Sequence, residues 1–445
     1  MTFNDLNLNN SLLAAINDMG IEKPTTIQHK AFNPIMSGVD MCGIAQTGTG
    51  KTFAYLLPIL RIWKFDKSKK VTTLILVPTR ELVVQVVEAI NQLSTYLNVT
   101  AVGVYGGANI KEQSRVVNEG LDILVGTPGR VYDIINHGVI KTKTIKTLVI
   151  DEVDEMLDQG MRSQIKRILD ELPEKRQNLM FSATINQEVE AIITQYFKDP
   201  VYIEAAPAGS PLESIKQSAY EVPNFNTKIN ILKHILTTDE STTKVIVFTG
   251  GKKLADAVAK QLENDFNLGA NYGVIHSNKE QNHRFNTVNQ FNNSNYKFII
   301  ATDIIARGLD VAEVSHVINF DLPNDANNYI HRIGRTGRAD KNGIAIAFIT
   351  PNDNYNKNAI EQLMKFEIPI TPLPNEVLVS NILEEFEIEK VIPKEIKLKL
   401  PKLERSNPGF HEKSAKNSKV NAKRISKKDA MMLKYGKPLK RKPKQ

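Results

Sequence analysis

Residues 45–52, Ala-Gln-Thr-Gly-Thr-Gly-Lys-Thr, leave this chain few folds to choose from. A short apolar run, Met41–Ala45, leads into them, and a mostly apolar segment, Phe53–Ile62, follows. Strand, glycine-rich loop and helix in that order make a phosphate cradle. The glycines let backbone N–H groups close around an anion, and the helix N-terminus adds its positive end. Ala45, Gln46, Thr47, Gly48, Thr49 and Gly50 form the loop. Lys51 is placed to reach β and γ phosphates, and Thr52 to hold Mg²⁺ through its hydroxyl. Ala45 departs from the strict pattern, which has glycine there.

Such a unit needs a parallel sheet around it, and the chain supplies one twice. Apolar, β-rich runs recur at Met41–Ala45, Thr72–Val77, Ala101–Tyr105, Asp122–Thr127, Thr147–Glu152 and Leu179–Thr184. They recur again at Lys244–Thr249, Tyr272–His276, Lys297–Asp303, His316–Asp321 and Gly343–Ile349. Segments with helical spacing, such as Arg80–Leu97 and Met161–Glu171, lie between them. Continuous apolar runs bounded by turn residues suit strands buried on both faces. Two α/β halves are therefore expected. The expected divisions are an N-terminal region 1–30, a first domain 31–204, a linker 205–215 and a second domain 216–375. The linker includes Ala-Ala-Pro-Ala-Gly-Ser-Pro, which is small and uncharged.

The remainder, 376–445, reads as a mostly disordered basic tail. From Val391 onward there are 18 lysines and arginines against 4 acids, net +14, so the body carries −6 of the overall +8. A flexible basic tail attracts polyanions, of which nucleic acid is the commonest. Lys427–Tyr435 has the composition to form a short helix on contact with a partner. No apolar run approaches the ~18 residues of a membrane span. The N-terminus lacks the basic and apolar regions of a secretory signal. With Cys42 as the one cysteine, an intrachain disulfide and a cysteine zinc cage are both excluded, which fits a reducing compartment. Cys42 itself reads as a buried apolar side chain, Trp63 as packing, and the histidines show no metal-ligand spacing.

Two further stretches carry chemistry. Leu148-Val-Ile-Asp-Glu-Val-Asp154 is a buried strand ending in acids, at the sheet edge where α/β proteins bind ligands. Asp151 suits a metal, reached through water, and Glu152 suits a group that orients or deprotonates an attacking water. Tyr329–Arg338 contains Arg332, Arg335 and Arg338 at spacing three with two glycines, unlike an ordinary salt-bridged helix. Arg335 and Arg338 are placed to reach a γ-phosphate across a cleft.

Taken in order from Phe3 to Thr350, the motifs resemble those of the DEAD-box RNA helicases. Gly20–Gln28 with Phe3 upstream resembles the Q motif. Pro78–Leu82, Gly106-Gly107 and Thr127–Arg130 resemble motifs Ia, GG and Ib; Ser182-Ala-Thr184 resembles motif III. Val247–Gly250 with Gln281 and Arg284 resembles the motif IV region, Ala301–Asp310 motif V and His331–Arg338 motif VI. The departure is Val153, where the family has alanine; its two extra methyls would cost ~1–3 kcal/mol of strain in an unmatched cavity. Activity is expected to survive, since Asp151, Glu152 and Asp154 are intact.

The resemblance implies two RecA-like α/β domains, ATP and Mg²⁺ as ligands, and RNA as partner. It implies that Gln28 pairs with adenine, Phe3 stacks on it and Asp310 contacts the ribose. Thr79, Arg80, Gly107, Thr127 and Arg130 would grip RNA phosphates from the first domain; Thr249, Gly250, Arg284, Thr302 and Gly308 would do so from the second. These grips address the backbone and carry little sequence preference. Ser182, Thr184, Asp154 and His331 would couple the acidic site to the interface. The implied activity is RNA-stimulated ATP hydrolysis that locally unwinds RNA duplexes or remodels RNA–protein complexes. The protein is expected to be a cytoplasmic monomer with ribonucleoprotein partners and no membrane association. The rival readings are a DNA helicase of the same superfamily and an RNA-binding clamp with negligible turnover.

Overall fold

The structure, a computed structural model, describes residues 2–45, 48–204, 215–263, 271–303, 311, 314–337 and 342–387, with Met432, Lys434 and Gly436; for Gln281 it describes the backbone alone. Seven strands form the first sheet: β1 (Met41–Ile44), β2 (Thr73–Leu76), β3 (Ala101–Val104), β4 (Ile123–Gly126), β5 (Thr147–Asp151), β6 (Gln177–Ser182) and β7 (Val201–Glu204). Their order is β3-β4-β2-β5-β6-β1-β7 and every pairing is parallel. Six strands form the second: β8 (Ile215–Glu221), β9 (Val245–Thr249), β10 (Tyr272–Ile275), β11 (Phe298–Thr302), β12 (His316–Asn319) and β13 (Gly343–Ile349). They are ordered β10-β11-β9-β12-β13-β8, again all parallel. These are two RecA-like lobes in tandem.

Side-chain alternation explains why the central strands read as continuous apolar runs. In β5, Leu148 and Ile150 enter one core cluster and Val149 the other; in β2, Leu74 and Leu76 enter one and Ile75 the other. In the second lobe, Val245 and Val247 face one cluster while Ile246 and Phe248 face another. Each of these side chains contributes about 1.5–3 kcal/mol on burial, and helices on both faces supply the cover.

Two strands escape the sequence pattern. β7 and β8 lie at sheet edges, each with a single neighbour, β1 and β13. β8 alternates buried with less buried residues and so shows no apolar run, whereas β7 is a four-residue strand in which Ile203 alone is buried. Ile215, placed in the linker by composition, begins β8; the rest of that linker lies outside the described residues.

The composition-based tail also begins too early. Residues 376–387 lie against the helix Phe225–Thr238 of the second lobe, held by asparagine amides. Asn230 Nδ2 donates to Leu378 O at 2.7 Å, Asn226 Nδ2 to Ile382 O at 3.0 Å, and Asn224 Nδ2 to Ser380 O. Phe386 packs edge-on against Phe225, centroids 5.2 Å apart. Docking through backbone carbonyls is not written in the side chains, although Val377 also enters the core of the second lobe. The disorder expected of the remaining tail concerns residues outside those described, apart from three positions. Among the described residues no helix is long and apolar enough to cross a membrane.

Candidate active site and nucleic-acid interface

The phosphate cradle sits at the carboxyl edge of β1. Gly48 and Gly50 have φ of 86° and 87°, the left-handed region that glycine enters without strain. Gly50 has a second constraint: a Cβ there would lie 2.4 Å from Gln28 Nε2. Gly50 caps the helix Lys51–Ile62, so Lys51 and Thr52 are its first two residues. Ala45 is buried and its N–H donates to Ser182 O at 3.0 Å, which ties the start of the loop to β6. Gln46 and Thr47 lie outside the described residues.

Gln28 is already engaged by protein. Its Oε1 accepts from the Thr25 amide at 3.0 Å, closing a capping box, and its Nε2 donates to Gly50 O at 3.2 Å. An amide carries two donor hydrogens and two lone pairs, so one of each remains. The side chain therefore braces the cradle and keeps a donor and an acceptor for a base edge. Phe3, in contrast, is covered by the N-terminal core cluster; its ring has no open face for stacking in this arrangement. Asp310 lies outside the described residues.

β5 delivers the acids. Asp151 ends the strand, and Glu152 follows with φ 53° and ψ 49°. That left-handed conformation is uncommon and costly for a residue with a Cβ, and such strain clusters at functional sites. Lys51 Nζ stands 3.9 Å from Glu152 Oε1. Lys51 Nζ, Asp151 Oδ1 and Glu152 Oε2 are all buried without a hydrogen-bond partner among the described residues. Buried charged groups are ordinarily satisfied, so three orphans converging on one cradle fit a triphosphate and a hard cation. Burial pushes the Asp151 carboxyl up. Burial opposes the charge on Glu152 as well, but Lys51 and a hydrogen bond with Glu155, with smaller help from Arg335 and His331, offset it and hold that carboxyl below its usual range. Arg335 and His331 belong to the second lobe.

Asp154 turns the other way. Its Oδ2 accepts from Ala183 N at 3.1 Å, Thr184 N at 3.0 Å and Thr184 Oγ1 at 3.1 Å. Ser182 Oγ donates to Thr184 O at 2.6 Å. Three of the four residues expected to couple the site thus form one bonded unit, and His331 lies in the second lobe, in the helix Ala326–Ile333. Val153 is fully buried in the second core cluster of the first lobe, beside Met156 and Leu157.

The expected RNA grips of the first lobe come together at the carboxyl ends of β2, β3 and β4. Thr79 and Thr127 sit at the N-caps of Arg80–Leu93 and Pro128–Asn136, so both helix N-termini face that edge. The Arg80 guanidinium lies against Gly107, where a Cβ would meet it at 2.2 Å and φ is +81°. Arg130 is buried instead of offered to solvent: Nη2 donates to Ala108 O at 2.9 Å and Nη1 to Gln113 Oε1. It holds the Gly106-Gly107 loop in place.

In the second lobe Thr249 and Thr302 are register partners at the ends of β9 and β11. Thr249 is fully buried, with its hydroxyl turned toward Ala301 O. The Gly250 amide donates to Asp321 Oδ2 at 2.8 Å, and Lys228 holds the other oxygen at 2.9 Å. Arg332 pairs with both oxygens of Asp303 and donates to Asn319 Oδ1 at 3.1 Å, which fixes the start of the arginine run. Arg284 forms an ion pair with Glu81 of the first lobe at 3.3 Å. Gly308 and Arg338 lie outside the described residues. Sequence reasoning missed Glu81, and it missed Tyr55, whose hydroxyl donates to Asp151 Oδ2 at 3.1 Å. The available signal for Tyr55 was its position one helical turn beyond Thr52.

Comparisons with known proteins agree with this layout. Residues 25–192 match the DEAD/DEAH box helicase family and residues 227–340 the helicase conserved C-terminal domain. The chain is 40% identical over 374 residues to an RNA helicase, CrhR, of Synechocystis sp., covering 84% of this chain and 75% of that one. It is 38% identical over 372 residues to eukaryotic initiation factor 4A of Drosophila melanogaster, covering 83% and 91%. Among solved structures, S. cerevisiae Dbp5 bound to RNA and ADP BeF3 superposes with a TM-score of 0.74 at 29% identity, over 83% of this chain and 95% of that one.

Proposed function

This chain belongs to the DEAD-box family and is an ATP-dependent RNA helicase, and on that premise we propose how its residues couple RNA binding to ATP hydrolysis. ATP lies on the first lobe, with its phosphates on the amides of the cradle and the N-terminus of Lys51–Ile62. Lys51 pairs with the β and γ phosphates. The free donor and acceptor of Gln28 read the adenine edge. Thr52 and, through water, Asp151 are the residues to hold Mg²⁺, which when bound neutralises charge on the β and γ phosphate oxygens. RNA lies across both lobes, its phosphates on the helix N-termini at Thr79 and Thr127, with Arg80 and the loops at Gly107, Gly250 and Thr302 alongside. Recognition through the backbone makes binding largely independent of sequence.

With the cleft closed, Glu152 orients a water and takes its proton as the oxygen attacks the γ phosphorus. The bond to the β–γ bridging oxygen breaks, and ADP leaves with the electron pair. Arg335, joined by Arg338, stabilises the charge on the transferred group. Asp154 reports the change to Ser182 and Thr184. RNA bound across both lobes favours the closed state and so stimulates hydrolysis; phosphate release reopens the cleft. We place the protein in the cytoplasm as a monomer acting on RNA and ribonucleoprotein complexes.

The observation that carries this reading is the buried trio of Lys51 Nζ, Asp151 Oδ1 and Glu152 Oε2, each without a hydrogen-bond partner among the described residues, with Lys51 3.9 Å from Glu152. The test is single-turnover hydrolysis at saturating RNA. Glu152→Gln should keep ATP and RNA binding and lose turnover by at least ~100-fold. Arg335→Ala should lose ~10³-fold or more. Near wild-type hydrolysis by either variant removes the role assigned to that residue, and negligible turnover by the wild type leaves an RNA clamp.

A further inference from the structure

Asp151 has two carboxylate oxygens with different surroundings. Oδ2 accepts from the Tyr55 hydroxyl at 3.1 Å, whereas Oδ1 is buried with no hydrogen-bond partner among the described residues. Tyr55 is fully buried on the inner face of the cradle helix, one turn beyond Thr52. Its ring packs against Phe181 of β6, centroids 5.3 Å apart. Ring and hydroxyl are thus both fixed. A phenol hydroxyl facing a carboxylate oxygen donates to it. A carboxylate on a strand end can rotate about its terminal bond, and a single donor on one oxygen sets the direction of the other.

We propose that Tyr55 is a positioning residue for the divalent cation: its hydroxyl holds Asp151 by Oδ2 and so aims Oδ1 at the site shared with Thr52. The inference rests on the reading of Thr52 and Asp151 as the cation-holding pair. A phenylalanine would fill the same space and pack equally well on Phe181, so the hydroxyl can be removed without emptying the core. Without it, Asp151 loses the side-chain donor that holds Oδ2, and the cation loses part of its preorganised site. Groups that orient metal-site residues from behind typically contribute a factor of ~10–100 in metal affinity.

The test is binding of a fluorescent ATP analogue to the full chain as Mg²⁺ is titrated, with EDTA as the metal-free point. Tyr55→Phe should raise the half-saturating Mg²⁺ concentration by about 10-fold and leave the affinity in EDTA unchanged. In an Asp151→Asn background, Tyr55→Phe should add nothing further, because the group it orients is gone. Superimposable Mg²⁺ curves for wild type and Tyr55→Phe overturn the proposal. So does an equal loss of affinity with and without Mg²⁺, which marks Tyr55 as structural. A wild type whose nucleotide binding ignores Mg²⁺ would instead sink the underlying cation-site assignment.

Discussion

Glu81 of the first lobe and Arg284 of the second form an ion pair of 3.3 Å, with side chains only 9% and 14% exposed. Glu81 sits beside Arg80 in the first turn of Arg80–Leu93, and Arg284 in the helix Gln281–Asn292. Both positions fall within motifs that resemble RNA grips. The pair makes them a clasp between the lobes, largely shielded from water and therefore weakly screened by salt.

A clasp and a phosphate grip predict different mutant patterns. If Arg284 acts through Glu81, then Glu81→Ala and Arg284→Ala should each raise the RNA concentration for half-maximal ATPase by about 10-fold, roughly 1.4 kcal/mol. The double variant should be no worse than either single one. An RNA titration of ATPase for the four proteins checks this. If Glu81→Ala binds RNA like wild type while Arg284→Ala does not, Arg284 contacts RNA directly.

Gln28 combines a structural and a recognition role, and two substitutions separate them. Gln28→Glu retains an acceptor for the Thr25 amide and loses the donor that reaches Gly50 O. Gln28→Ala loses both and should cost a further ~1 kcal/mol of stability from the broken cap. Both should narrow the preference for ATP over GTP in kcat/KM. The melting temperature should fall clearly for Gln28→Ala alone. An unchanged nucleotide preference in both variants would confine Gln28 to bracing the cradle.

How far the sequence reveals this molecule depends on where each signal lies. β2 and β5 are legible because both their faces are buried, and burial on two faces writes an uninterrupted apolar run. β8 is not, because an edge strand covered on one side mixes Lys216, Gln217 and Ser218 into its pattern. The cradle, Asp151, Glu152 and the arginine run are legible because their chemistry is local, with residue types at fixed spacing. Arg130 and Thr249 stand in the motifs, yet their side chains turn inward to Ala108 O and Ala301 O. Tyr55 leaves only its place one turn beyond Thr52, and the Glu81–Arg284 pair leaves no trace. A tyrosine in an apolar helix reads as core, and an ion pair between lobes depends on how distant segments meet.

The basic tail offers a prediction that depends on charge alone. Residues 391–445 carry net +14 while the preceding chain carries −6. Truncation after Glu387 should weaken RNA affinity and flatten its salt dependence, by ~0.7 in the logarithmic slope for each single-strand phosphate the tail would otherwise neutralise. The maximal ATPase rate should stay within about 2-fold of wild type, because the grips that close the cleft lie earlier in the chain. RNA binding at several salt concentrations measures the slope. An unchanged slope would mean the tail does not touch RNA.

On this mechanism RNA holds Arg335 of the second lobe at an acidic site that turns over slowly without it. Steady-state ATP hydrolysis by the full chain, measured with and without saturating single-stranded RNA, tests it most directly. A saturable increase of at least ~100-fold in kcat is expected, the scale set by a withheld arginine and base, and no increase in Arg335→Ala. A rate indifferent to RNA, or an Arg335→Ala variant stimulated as strongly as wild type, would contradict it.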